Sequence, residues 1–172
     1  MATVDVDAIA TRVRVVLAGA SVVRGVSSTR FLADYNDGLP ADEKAARAEV
    51  KPRYEVRAWY AGLNPANPPL LGTVAIVDVG VEVKVARALD LSHTTNDALR
   101  DDATSLAAVD ADVIRQALSW PGNVSGCGLS QDMLTPNGAP DYRISVATGD
   151  RPGLIETVHT FVGIAIVTMA IT

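Results

Sequence analysis

Residues able to do chemistry are few in this chain, and their spacing does not assemble them. The single cysteine, Cys127, sits in Ser125-Gly-Cys-Gly128, where flanking glycines could expose a thiolate as a nucleophile. No recognisable base accompanies it, so a buried inert thiol or a turn cysteine is the better expectation. His93 and His159 are far apart, and neither belongs to a metal-ligand spacing such as His-x-x-x-His; His93 reads as a surface histidine and His159 as a strand histidine. Gly126-Cys-Gly128 is half of a phosphate-binding loop and opens no clear helix. Asp101-Asp102 and Asp110-Ala-Asp112 lack the ligand ladder and central glycine of a calcium loop, and helix capping or a solvated acidic face explains them better. Asn123-Val-Ser125 matches the glycosylation acceptor, a pattern that arises often by chance. No motif supports an enzyme, a cofactor or a metal. An enzyme of unfamiliar type would have to use Cys127 or an aspartate pair.

The elements that would position these residues can be read from periodicity. Residues 4 to 18 read as an amphipathic helix with Val6, Ile9, Val13, Val16 and Leu17 on one face, Arg12 and Arg14 away from it, Thr3 or Asp5 as cap and Gly19 at its end. A looser stretch to Pro52 carries Asp37-Gly38, Pro40 and a charged run, and receives no function. Tyr54 to Tyr60 alternates as a half-buried strand; a proline-rich turn follows, and Thr73 to Arg87 alternates again. Val77, Val79, Val81, Val83 and Val85 share one face of that second strand, and Asp78, Gly80, Glu82 and Lys84 the other. An antiparallel hairpin is the natural pairing. A second helix, from near Ala103 to Trp120, carries Leu106, Val109, Val113, Ala117 and Leu118 and is stopped by Pro121-Gly122. Then come a short candidate strand Leu129 to Leu134, a turn at Pro136-Asn137-Gly138, a weak strand Tyr142 to Ala147, a turn at Gly149 to Gly153, and a long final strand from Leu154 to Ile171. The order predicts one α+β domain over residues 1–172: a mostly antiparallel sheet with a long β-hairpin and two amphipathic helices packed on it.

One strand is long for such a domain. Fifteen residues span roughly 50 Å at the usual rise, against a diameter of about 40 Å for a compact chain of this size. Either the strand bends, with a bulge at Gly80, or it projects and its valine face is covered by a neighbour. The second alternative makes Tyr54, Arg57, Trp59, Val79, Val81 and Val83 candidate subunit-interface residues.

With 172 residues, 48% hydrophobic and 20% charged, the chain has the composition of one globular domain. A net charge of -5 argues against a dedicated nucleic-acid binder. The N-terminus carries Asp5 and Asp7 where a secretory signal has positive charge, and the apolar C-terminal run is short of the roughly 20 residues of a spanning helix, so no membrane association is expected. Between Ala88 and Ile114 stand six acids (Asp90, Asp97, Asp101, Asp102, Asp110, Asp112) and one base, Arg100, while Arg12, Arg14, Arg24 and Arg30 favour the first thirty residues. Opposed patches of this kind can steer head-to-tail association.

The element order and several short stretches resemble the tail-terminator proteins of tailed bacteriophages. The stretches are the opening helix, Arg53-Tyr-Glu-Val-Arg-Ala-Trp-Tyr60, the valine-rich strand, Arg115-Gln-Ala-Leu-Ser-Trp-Pro-Gly-Asn123, Ser125-Gly-Cys-Gly-Leu-Ser130 and Thr157-Val-His-Thr-Phe-Val-Gly163. Related head-tail neck and completion proteins look alike at this level. The resemblance implies a structural virion protein without catalytic residues: a homo-oligomeric ring, usually a hexamer, that caps the tail tube, ends its polymerisation and joins it to the head connector. Its partners would be itself, the tail tube protein and the connector protein. Its place would be the virion neck, and the host cytoplasm during assembly. DNA would pass through without specific binding, and Asp97, Asp101 and Asp102 would form an acidic lumen or partner face that keeps phosphates from sticking. A plain cytosolic binding module, with the Trp59/Tyr60 region as its contact surface, is the alternative from another class.

Overall fold

A computed structural model describes residues 4–23, 33–34, 53–64, 74–88, 96–145 and 154–168. The elements in chain order are α1 (Val6–Val23), β1 (Ala33–Asp34), β2 (Arg53–Leu63), β3 (Val74–Ala88), α2 (Asn96–Ser119), β4 (Thr135–Pro136), β5 (Asp141–Ser145) and β6 (Leu154–Thr168). The fold is α+β, with one sheet in the order β1-β2-β3-β6-β4 and β5 also paired to β6. All pairings are antiparallel except the two-residue contact of β1 with β2.

The backbone of the sheet is the pairing of β3 with β6, continuous in register from Val74↔Thr168 to Ala88↔Leu154. This resolves the length problem: β3 neither bulges at Gly80 nor projects, because a strand of equal length accompanies it throughout. The register shift lies instead in β2, between Tyr60 and Gly62, where Gly62 has a φ of 128°. Only a residue without Cβ takes that conformation cheaply.

One face of the sheet carries the core. Val77, Val79, Val81, Val83 and Val85 are buried, and on the flanking strands Tyr54, Val56, Phe161 and Ala165 join them. Helix α1 lays Ile9, Val13 and Leu17 onto this face, and α2 adds Ile114 and Leu118. The α1 start is capped by Asp5, whose carboxylate accepts from the Ala8 amide at 2.9 Å. The helix runs through Gly19 to Val23, past the expected stop, since no αL turn forms there.

Two helix readings are corrected by the packing. The buried stripe of α2 is Ala107, Asp110, Ile114 and Leu118, while Val109 is exposed and Val113 half-buried. The core phase is thus displaced by about one residue from the apolar stripe of the sequence. Arg12 and Arg14 do not point away from the fold either. Arg12 Nη2 donates to the Asn123 carbonyl at 2.9 Å, and Arg14 Nη2 to the Val56 carbonyl at 3.1 Å. They clamp α1 to the loop after α2 and to the edge of β2, so they form no free basic patch. The Tyr54 hydroxyl returns a bond to the Arg14 carbonyl at 3.2 Å.

Leu129 to Leu134 is a folded loop, with one bridge, Leu129↔Ala165, where a strand was expected. The turn expected at residues 149–153 and the stretch 35–52 lie outside the described residues.

The interior position of the valines gives the first prediction. Val81→Ala should destabilise the folded chain by roughly 2–3 kcal/mol through lost transfer energy and a residual cavity. Val81→Asp should abolish the cooperative thermal transition seen by circular dichroism. A Val81→Asp chain that melted like the parent would show that the valine row is not core.

Candidate functional site

The nucleophile candidate is closed off by its own loop. Gly126 and Gly128 adopt φ values of 78° and 89°. These turn the chain so that Cys127 points inward among Val124, Leu129 and Leu134 of the core cluster. Its Sγ donates to the Val124 carbonyl at 3.1 Å, and burial pushes the thiol pKa up. The glycines therefore bury the sulfur that they were able to expose. Asn123 is likewise committed: its amide donates to the Ala117 carbonyl at 2.8 Å and caps α2, while its carbonyl takes Arg12.

His159 stands on β6 opposite Val83, facing the core and 4% exposed. Its Nε2 lies 3.2 Å from Thr157 Oγ1. Burial, and secondarily the positive charge of Arg115 on α2, push its pKa down to about 4. His93 lies outside the described residues. Asp110 is buried, and Asp112 accepts from the Gln116 amide at 2.8 and 2.9 Å. Among the described residues no group of His, Cys, Asp and Glu could hold a metal ion, and no helix is long and apolar enough to cross a membrane.

The expected interface residues divide sharply. Tyr54, Val79, Val81 and Val83 are buried within the single chain, so the expectation that a neighbour covers them is corrected: α1 and α2 already do so. Arg57 and Trp59 are exposed, on the opposite face of the sheet. Asp97, Asp101 and Asp102 fall in the first turns of α2, and their side chains lie outside the description.

That opposite face has two zones. Toward one end it is charged: Arg57 pairs with Glu55 and Lys84 with Glu156, each at 2.8 Å, beside Glu82. These solvent-facing pairs add little stability. Toward the other end it is mostly apolar, with Trp59, Ile76, Val162, Ile164 and Ile166 in the rows around Asp78, whose carboxylate accepts from the Asn64 amide at 2.7 Å. The Trp59 indole lies flat over its cross-strand partner Gly80; a Cβ built there would meet Trp59 Cε2 at 2.3 Å. Trp59 remains 42% exposed and Ile166 59%. Val74 is exposed at the same end of this face, while Tyr60 and Leu63, opposite Val79 and Val77, are exposed at that end of the valine face. The sequence signal was present in β6, where Phe161 to Val167 is apolar on both faces except at Gly163.

A second apolar surface lies across the molecule, in a groove of about 550 Å³ between α1 and α2. Val15, Val16, Gly19, Val113 and Trp120 line it, with Arg12 as the only charged lining residue among the described ones. Trp120 is 68% exposed and Val15 55%.

No protein-family model matches this chain, and no curated protein does.

Two outcomes follow from the buried titratable groups. Because the His159 pKa is lowered on folding from 6.5 to about 4, its stabilising contribution is complete above pH 6.5. It is lost progressively as pH falls toward 4, by up to about 3 kcal/mol. Urea midpoints measured between pH 7 and 4 should decline, and His159→Gln should flatten that part of the profile. An unchanged slope in the variant would place the acid sensitivity elsewhere. For Cys127, a chromogenic disulfide reagent should label the native chain only at the rate of opening, and Cys127→Ser should cost about 1–2 kcal/mol without further effect. Immediate stoichiometric labelling of folded protein would contradict the buried thiol.

Proposed function

We propose that this chain is a structural virion subunit of the tail-terminator kind. Copies form a ring, usually a hexamer, that caps the tail tube, ends its polymerisation and joins it to the head connector. The observation that carries the reading is the one-sided sheet. Among the described residues the helices cover only the valine face, and the other face ends in an exposed, mostly apolar zone around Trp59 and Ile166. A contiguous apolar patch of this kind marks a surface that meets another protein. The assignment to a tail neck rests on the resemblance in element order and in the short stretches named above.

In this reading the chain has no catalytic residue, and its work is geometric. The ring surrounds the DNA path, and Asp97, Asp101 and Asp102 in the first turns of α2 face that path. Their charge repels phosphate and lets DNA slide without binding. The protein acts in the host cytoplasm during assembly and then in the virion neck.

Mass photometry and negative-stain imaging of the purified chain, alone and with tail tubes, test this. A closed ring of one copy number, bound at one end of the tubes and limiting their growth, is the expected result. A chain that stays monomeric at high concentration and in the presence of tubes would overturn the ring. A second reading, another head-tail neck or completion protein, becomes the better one if rings form yet leave tube length unchanged.

A further inference from the structure

The sheet has two edges, and both carry open main-chain positions among the described residues. On one side β1 covers only Arg53 and Tyr54 of β2, and the Arg14 guanidinium takes the Val56 carbonyl. From Arg57 to Tyr60 no further described strand pairs with β2, and Arg57, Trp59 and Tyr60 are exposed there. On the other side β5 pairs with β6 alone, and Asp141, Tyr142 and Arg143 are exposed.

The bonding direction of each edge follows from the ladder. Antiparallel strands send the N–H and C=O of alternate residues to opposite sides. The Ile164 and Thr160 carbonyls of β6 accept from Ser130 and Asn137, so the even-numbered residues of β6 face the β5 side and the odd-numbered ones face β3. Val158 and Glu156 are therefore the bonded partners of Asp141 and Arg143, and Tyr142 and Ile144 point their main-chain groups outward. Carried across β3, the same alternation turns Arg57 and Trp59 toward β3 and leaves Ala58 and Tyr60 pointing outward. The Val56 carbonyl, in the same phase, does reach outward to Arg14. Unpaired rows of this kind are templates for an added strand.

We propose that β5 of one copy adds to the β2 edge of the next, so that the sheet runs on from copy to copy with Ala58 opposite Ile144 and Tyr60 opposite Tyr142. The inference rests on the reading of the chain as a self-assembling subunit and assigns its junction. Three observations select a second copy as the occupant. The first is direction: three successive antiparallel pairings separate β2 from β5, so a neighbour that continues the sheet presents β5 antiparallel to β2. The second is face. Ala58, Tyr60 and Tyr142, whose main-chain groups point outward, all lie on the valine side by their register with Val81, Val79 and Thr157. Bonding and side-chain faces thus match together, with no one-residue slip.

The third is register. β1 and Arg14 occupy β2 before Arg57, and the bulge after Tyr60 ends its regular run. Moving β5 two residues toward β1 sets Arg143 directly against Arg57, a repulsive pairing. Moving it two residues the other way runs it into the bulge. In the register that remains, Tyr60 meets Tyr142 on one face and Trp59 meets Arg143 on the other. These are an aromatic pair and a cation beside an indole.

Amide hydrogen exchange resolved to single residues tests the junction, comparing subunits diluted below the assembly threshold with assembled protein. In the dilute subunit the Ala58, Tyr60, Tyr142 and Ile144 amides should exchange freely while Trp59 and Arg143 are protected. Assembly should slow all four by at least about 10-fold. Protection of Ala58 and Tyr60 in the dilute subunit would show that the chain already covers its own edge, and would overturn the proposal. Slowing at the β2 positions alone would mean a two-fold pairing of like edges and overturn it equally. Ala58→Pro and Tyr142→Pro remove N–H groups that bond nothing in the single chain, so the circular dichroism spectrum should persist. Each should raise the concentration needed for assembly by at least about 10-fold. A ring that forms with neither slowed exchange nor sensitivity to these variants removes the junction while the ring stands. A parent that never assembles removes both.

Discussion

The continuous pairing of β3 with β6 is the constraint on which the rest depends. Fifteen residues face fifteen without a bulge, so every odd-numbered valine of β3 must fall on one face. A slip by one residue would turn Val77 to Val85 into solvent and bring Asp78, Glu82 and Lys84 into the core. The hydrophobic alternation therefore sets the register, and the register places everything attached to either strand. It aligns Val83 with His159 and Val81 with Phe161 under the helices, and Gly80 with Val162 on the other face, where the Trp59 ring fills the space above the glycine. The same pairing fixes which end of the outer face is charged and which is apolar.

Attachment of the helices shows how polar groups complete such a core. Arg12 and Arg14 bury their stems along α1 while their guanidinium groups reach main-chain carbonyls of the post-α2 loop and of β2. A carbonyl at a sheet edge or in a loop needs a donor when covered. A charged donor makes a stronger bond than a neutral one. Asn123 joins the two systems, capping α2 through its side chain and receiving Arg12 at its carbonyl. The loop that follows is held further by Val124 to Asp132 and Leu134 to Leu118 main-chain bonds, which explains why a segment without regular structure contributes four core residues, Val124, Cys127, Leu129 and Leu134.

Much of this was legible in the sequence, and the failures have physical causes. Strict alternation identified β2 and β3, a long apolar run marked β6, and the Pro121-Gly122 stop placed the end of α2. Gly19 misled because a glycine ends a helix only when the chain also turns there. In α2 the apolar stripe Val109, Val113 and Ala117 suggested the core, yet the helix packs through Ala107, Ile114 and Leu118 with Asp110 buried between them. Two apolar stripes on one helix cannot be ranked by periodicity, because either could face the sheet. The alternative in which a neighbour covers the valine face arose for a related reason. A strand's length is visible in sequence, but the equal strand that pairs with it some eighty residues later is not visible as its partner. The outer patch combines Trp59 with residues of β3 and β6, and only the register brings these together.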